Sequence, residues 1–199
     1  MKTNLRLIGG KRLYSPNNIH TRPTTLRVRE AIFNILNKRV VESNWLDLFS
    51  GTGAISCEAY NHGARKIVAI EKNKNNSKIC LKNLLSLHDI ENRKSDIDVI
   101  CKDVLNWTKP NYERSLSSKV VDLNNLKFDF VYLDPPYDVN FHELVLNQIF
   151  NCNFLKKDSL VICEHSPKLH INKSNLWDII DIRDYGQSRL TFLINVQHT

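Results

Sequence analysis

Four consecutive residues, Asp134-Pro135-Pro136-Tyr137, bring together one carboxylate, one backbone carbonyl and one aromatic ring. The two prolines have no N–H to give to a sheet, so a strand that reaches them must stop. Each also holds the residue before it extended, which fixes both Asp134 and Pro135. The Asp134 carboxylate and the Pro135 carbonyl are two acceptors that can take the two hydrogens of an exocyclic NH2 group. The Tyr137 ring can stack on the heterocycle carrying that amine. An aromatic amine is a poor nucleophile, because its lone pair is delocalised into the ring. Two acceptors favour a pyramidal nitrogen and aim its lone pair at an electrophile, which is catalysis by positioning and electrostatics. Taken alone, the tetrapeptide reads equally well as a plain Pro-Pro turn after a strand. The residues upstream decide between the two.

The elements that must position this corner follow from the apolar pattern. Phe128 to Leu133 is almost entirely apolar, as expected of a strand buried on both faces. The corner then lies at the carboxyl end of a central strand, where ligands sit in open α/β sheets. Trp45 to Phe49 reads as a first strand, running into Ser50-Gly51-Thr52-Gly53-Ala54 and a helix from Ile55 to His62. Strand, glycine-rich turn and helix begin a nucleotide-binding unit: Gly51 and Gly53 admit close backbone approach, and the helix start offers free N–H groups. The third glycine of the dinucleotide fingerprint is Ser56 here, so the turn alone is a weak signal. A second strand, Lys66 to Glu71, ends in a carboxylate placed to reach ribose hydroxyls. A helix from Asn75 to Leu87 and a strand from Asp98 to Cys101 lead to Asp103, which could accept a bond from an adenine amino group. Singly, Glu71 and Asp103 read as solvated strand-end acids; in one order with the glycine turn and the proline corner, they read as a cofactor site. Residues 108–127 are a polar connection. A helix from Phe141 to Phe150 and a fifth strand, Ser159 to Cys163, ending in Glu164-His165, come next. Trp177 to Asp184 and Arg189 to Val196 form a closing hairpin.

Length and composition fit one soluble domain with a substantial core. No apolar run is long enough to cross a bilayer, and the first residues lack the apolar core of a secretory signal. The five cysteines are odd in number and have no CxxC pair, which points to reduced thiols in a cytoplasmic protein rather than a metal site. The net charge of +7 is unevenly placed: no acidic residue precedes Glu30, whereas Lys2, Arg6, Lys11, Arg12, Arg22, Arg27 and Arg29 all do. The rest of the chain is neutral. A neutral body with a basic arm suggests a polyanion partner, most simply nucleic acid, over a tail that only aids solubility. Leu5 to Ile8 and Lys11 to Tyr14, flanking Gly9-Gly10, can pair as a β-hairpin. Thr24 or Thr25 can cap a helix running to about Lys38. The expected division is a basic arm over residues 1–22 and a catalytic domain over residues 23–199.

With these pieces the chain resembles the RsmD family of bacterial small-subunit ribosomal RNA guanine-N2 methyltransferases. The matching stretches are RLIGGKRL, TRPTTLRVREAIFNIL, LDLFSGTGAISCEAYNHGA, Glu71, Asn83, Asp103, FDFVYLDPPY and YGQSRLTF. The second of these sets the family apart from other DPPY enzymes. FSGTGAIS stands where the family usually has FAGSGALG, and the segment before DPPY is longer here. The resemblance implies a Rossmann-like class I methyltransferase fold, α/β, with a seven-stranded, mostly parallel sheet, helices on both faces and a C-terminal antiparallel hairpin. It implies that Asp47, Phe49, Gly51 and Gly53 hold the methionine part of S-adenosylmethionine, Glu71 its ribose and Asp103 its adenine. Asp134, Pro135, Pro136 and Tyr137 would present the guanine amine, with Asp134 also near the cofactor. Arg6, Lys11, Arg12, Arg22, Arg27 and Arg29 would contact RNA. The implied partner is 16S ribosomal RNA, at guanine 966, in a partly assembled small subunit, with a cytoplasmic monomer as the enzyme and no metal. A DNA adenine-N6 methyltransferase shares the glycine turn and DPPY but needs a target-recognition region for which there is no room. A nicotinamide-dependent oxidoreductase has no use for DPPY. A non-catalytic RNA-binding assembly factor on a methyltransferase fold has no need of an intact DPPY.

Overall fold

The computed structural model of the protein describes residues 5–16, 24–91, 95–110, 112, 126–136 and 141–196. The helices are α1 (Leu26–Leu36), α2 (Ala54–Asn61), α3 (Lys74–Glu91), α4 (Val104–Trp107) and α5 (His142–Asn151). The strands are β1 (Asn44–Leu48), β2 (Lys66–Glu71), β3 (Asp96–Cys101), β4 (Phe128–Leu133), β5 (Leu155–His165), β6 (Trp177–Tyr185) and β7 (Ser188–Asn195). They form one sheet in the order β3-β2-β1-β4-β5-β7-β6. The first five are parallel to their neighbours, and β7 runs antiparallel to both β5 and β6.

The alternation of side chains along the strands sorts them into two apolar layers. On one face Trp45, Ile67, Ala69, Phe130 and Tyr132 pack with Val28, Ile32 and Leu36 of α1, Cys57 and Tyr60 of α2 and Leu84 of α3. On the other, Leu46, Val68, Ile70, Val131 and Leu133 pack with Val104 and Trp107 of α4 and Val145 and Ile149 of α5. Burial on both faces explains why β1 and β4 read as largely apolar runs.

Two strands start at least two residues earlier than the sequence suggests. β3 lies at the sheet edge, where exposed Asp96 and an Asp98 paired with Lys66 of β2 at 3.8 Å disguise the pattern. β5 begins at Leu155, four residues ahead of Ser159. Its opening stretch is Lys156-Lys157-Asp158, and Lys156 pairs with Asp129 of β4 at 2.7 Å. A register shift between Phe128 and Phe130 absorbs the extension.

The amino-terminal hairpin is present and docked. Leu7 N–H donates to Lys11 O, Gly10 N–H to Leu7 O and Leu13 N–H to Leu5 O, around an Arg6–Arg12 bridge. Gly10 supplies the positive φ of +84° that the turn requires. Leu5, Leu7 and Leu13 are buried in the α1–α2–α3 layer. Lys11 Nζ donates to Ser86 O, and Tyr14 N–H donates to Asn83 Oδ1.

Candidate active site

The strand order reverses between β1 and β4, and both of the sequence's strongest motifs leave the sheet there. Leu48 and Leu133 are register partners, and Asp134 N–H reaches Leu48 O at 3.5 Å. The proline corner therefore stands beside the glycine turn. Glu71, at the end of β2, and Asp103, just after β3, continue the line along the same rim of the sheet.

Around the glycine turn the backbone is unusual. Phe49, Gly51 and Gly53 all have positive φ, at 65°, 54° and 79°. Phe49 is a bulky residue in this region, a conformation that costs about 1–3 kcal/mol and is held only by its surroundings. Its ring stacks on Phe141 with planes 3° apart. A Cβ on Gly53 would lie 2.5 Å from Cys80 Sγ, so the turn packs directly on α3. A Cβ on Gly51 would meet nothing within 4 Å. The turn is thus closed underneath and open above. Asn83 of α3, fully buried, donates to both Thr52 O and Tyr14 O and so ties the hairpin to the glycine turn.

Carboxylates surround this opening. Asp47 is buried under α2 and accepts from Ser56 Oγ. Burial pushes its pKa up to about 7, with the nearby Glu71 charge adding to the rise. Glu71 accepts from Gly51 N–H at 2.9 Å and from Asn73 N–H at 2.6 Å, each oxygen taking one bond. Asp103 caps α4 through Asn106 N–H. Asp134 is half-buried, and its pKa is raised by loss of solvent around its carboxyl and then by the charges of Glu164 and Asp47. Asp47 repels both Glu71 and Asp134, and such a cluster of acids beside the glycine turn fits a ligand that is itself positively charged, such as a sulfonium with an ammonium group.

The side chains behind the proline corner are ones the sequence did not reveal. Thr24 Oγ1 lies 3.2 Å from Tyr132 OH and 3.5 Å from Asp134 Oδ2. Tyr132 OH donates to Glu164 Oε2, and Ser188 Oγ donates to Glu164 Oε1 at 2.8 Å. Glu164 was legible only as the acidic end of a strand, and Tyr132 only as one apolar member of β4. Their meeting depends on the β4–β5 and β5–β7 pairings. Tyr137, the proposed stacking ring, lies outside the described residues, as does Arg22.

Arg29 does not reach the surface. Only 2% exposed, it donates from Nε to Glu58 at 3.2 Å, from Nη1 to Thr24 O at 2.6 Å and from Nη2 to Arg6 O. This corrects the expectation that it contacts RNA: all three guanidinium nitrogens donate inside the protein, and its role is to lock hairpin, α1 and α2 together. Arg6, Arg12 and Arg27 are exposed, and Arg27 lies 5.9 Å over the Tyr185 ring. Lys11 is half-buried.

A parallel sheet reversed at β1/β4 and closed by an antiparallel seventh strand, with the glycine turn and proline corner at the reversal, is the class I methyltransferase architecture. Solved structures share it. The Escherichia coli protein yhhF matches with a TM-score of 0.74 at 24% identity, covering 96% of this chain and 97% of that one. A ribosomal protein L11 methylase of Lactobacillus delbrueckii matches with a TM-score of 0.58 at 13% identity, covering 92% and 90%. At these identities the likeness carries the fold alone. The family model described as conserved hypothetical protein 95 matches residues 5–194, and the chain belongs to that family, the RsmD family. Two relatives named ribosomal RNA small subunit methyltransferase D agree. One from Buchnera aphidicola (strain Bp) is 30% identical, covering 88% of this chain and 84% of its own. Another from Haemophilus influenzae is 28% identical, covering 89% and 84%.

Proposed function

We propose that the protein transfers a methyl group from S-adenosylmethionine to the exocyclic N2 amine of a guanine in 16S ribosomal RNA, guanine 966 in the family's pattern. The observation that carries this reading is the contact between Asp134 N–H and Leu48 O, which sets the proline corner beside the glycine turn. The names of the relatives support ribosomal RNA as the substrate class. The setting is the cytoplasm, on a partly assembled small subunit. Among the described residues no helix is long and apolar enough to cross a membrane.

When bound, S-adenosylmethionine supplies an electrophilic methyl on a cationic sulfur. Asp47 and the turn through Gly51 and Gly53 would hold the charged end, Glu71 the ribose and Asp103 the adenine. The Asp134 carboxylate and the Pro135 carbonyl grip the guanine amine and aim its lone pair, and Tyr137 supports the base. The N–H proton that the amine loses on methylation would pass to the Asp134 carboxylate or to water. The charge developing on nitrogen is therefore met by a fixed anion, the kind of preorganised interaction that lowers a barrier most.

The test is single-turnover transfer of labelled methyl to immature small subunits, with duplex DNA as a control and mass mapping of the product. Asp134→Ala should slow transfer roughly 10²–10³-fold, the effect of removing one preorganised transition-state hydrogen bond. Asp134→Asn should be impaired less, since it keeps an acceptor oxygen. A folded Asp134→Ala protein transferring at the wild-type rate, or product on DNA only, overturns the proposal.

A further inference from the structure

The segment TRPTT…RE, which most sets the chain apart from other DPPY enzymes, has no part in the chemistry described so far. The structure describes it from Thr24 onward. Arg29 holds the Thr24 carbonyl at 2.6 Å, and Thr25 caps α1 through Val28 N–H. Pinned from both sides, Thr24 turns its hydroxyl into the gap between Tyr132 OH and Asp134 Oδ2. Beyond Tyr132 the chain of polar groups continues to Glu164 and Ser188, both at most 2% exposed. Tyr132 is buried as well. A buried line of donors and acceptors from the proline corner to β7 is expensive to desolvate, and every link in it has a partner.

We infer that Thr24 and Glu164 are positioning residues for Asp134: acting through the Tyr132 hydroxyl, they fix the orientation of its carboxylate and maintain it as the acceptor of the proton that the amine loses. The inference rests on the proposed amine methylation. Thr24 occupies Oδ2, which leaves Oδ1 for the amine. Tyr132 gives its only proton to Glu164, so toward Thr24 its oxygen is an acceptor. The Thr24 hydroxyl then has two possible acceptors, Asp134 when ionised and Tyr132 when Asp134 carries the proton. The hydroxyl can swing between them as the reaction proceeds, and Asp134 is hydrogen-bonded in both states. Glu164 contributes its charge. Among the described residues the charged or titratable groups facing Asp134 are Tyr132 on its own strand, Glu164 from β5 and Asp47 from β1. Burial first, and then the two acids, raise the proton affinity of Asp134, whereas the Thr24 bond lowers it. His142 of α5 faces the backbone carbonyl of Glu164, not Asp134.

Two readouts test this, one of which needs no RNA. The Asp134 carboxyl is followed by carbon-13 NMR against pH in the full-length protein, with Asp134→Asn identifying its signal. In Glu164→Gln the midpoint should move to lower pH, because a neighbouring negative charge is gone; in Thr24→Val it should move to higher pH, because a bond to the ionised form is gone. The second readout is single-turnover transfer at saturating cofactor. Thr24→Val and Tyr132→Phe should each fall roughly 10- to 100-fold, as for a misplaced reacting group. Thr24→Ser should retain most of the rate, and the KM for S-adenosylmethionine should stay put in all three. The acidic limb of the rate profile should move down in Glu164→Gln. An Asp134 midpoint unchanged in both Glu164→Gln and Thr24→Val overturns the inference even if small subunits prove to be the wrong substrate. An inactive wild type with shifted midpoints retires the proposed function and leaves the network in place.

Discussion

Asp47 is a carboxylic acid in a place that disfavours its charge. Its pKa is raised to about 7 by burial, against an unfolded value of about 3.9. The folded state therefore keeps the proton to higher pH than the unfolded chain does. Stability is lost as pH rises between those two values, since the unfolded state ionises first. Asp47→Asn keeps an acceptor for Ser56 Oγ and cannot ionise. Its urea midpoint should match the wild type near pH 4 and exceed it at pH 8; equal midpoints at pH 8 would show that Asp47 ionises in the fold without cost. Arg29 makes the opposite case, a charge that must stay paired. Glu58 is fully buried, and its pKa is raised by burial despite the Ile8 N–H and Arg29 bonds that counter it. Arg29→Met should cost about 3–5 kcal/mol in urea unfolding, the usual result of stranding one member of a buried ion pair. A loss under 1 kcal/mol would mean that the pair is not structural. Neither role was legible in the sequence. Asp47 is one polar residue in an apolar strand, and Arg29 meets its partner across 29 positions, so nothing local marks them. Asp134, Glu71 and the glycines were legible, because they sit where a pattern of apolar residues stops.

At the scale of elements, the glycine turn depends on what lies beneath it. Gly53 combines a φ of +79° with a close approach to Cys80. Gly53→Ala must strain its backbone and push α3 away. It should lower stability by about 1–3 kcal/mol and weaken S-adenosylmethionine binding in calorimetry. Gly51→Ala, with a φ of +54° and open space around the Cβ position, should hold stability better while still losing affinity. Similar losses of stability in both would mean that Cys80 yields easily. The close approach itself could not be read from the chain, because Cys80 lies on a helix whose register against the turn is set by packing. Strand identities were legible where both faces are buried, as in β2 and β4, whose limits match the expected ones. They were less so at the edge of the sheet and at the start of β5, where lysines and aspartates pair across strands instead of pointing to a core.

For the whole molecule the question is what the amino-terminal excess of positive charge does. The sequence suggested a separable basic arm. Leu5, Leu7 and Leu13 instead fill the core beside α1 and α2, and Asn83 and Glu58 bind the hairpin backbone. Deleting the hairpin would remove part of the core, so truncation cannot separate RNA binding from folding. Charge substitution can. Arg6 and Arg12 face solvent on neighbouring hairpin strands, and exposed Arg27 follows Thr24 by three residues. In the proposed reading they would give the RNA a basic surface. Arg6→Gln, Arg12→Gln and Arg27→Gln in one chain leave every buried leucine and the Arg29–Glu58 pair intact. Removing one arginine–phosphate pairing should lower the slope of log affinity against log salt by about 0.7–0.9, so removing all three should lower it by up to about 2–3. The measurement is binding to immature small subunits or to 16S RNA across a salt series, with calorimetry confirming unchanged S-adenosylmethionine affinity. Because the effect is sequence-independent, unrelated RNA should lose affinity by a similar factor. A slope equal to the wild type's would show that these three arginines do not touch phosphate, and that the target is held by the proline corner and its surroundings alone.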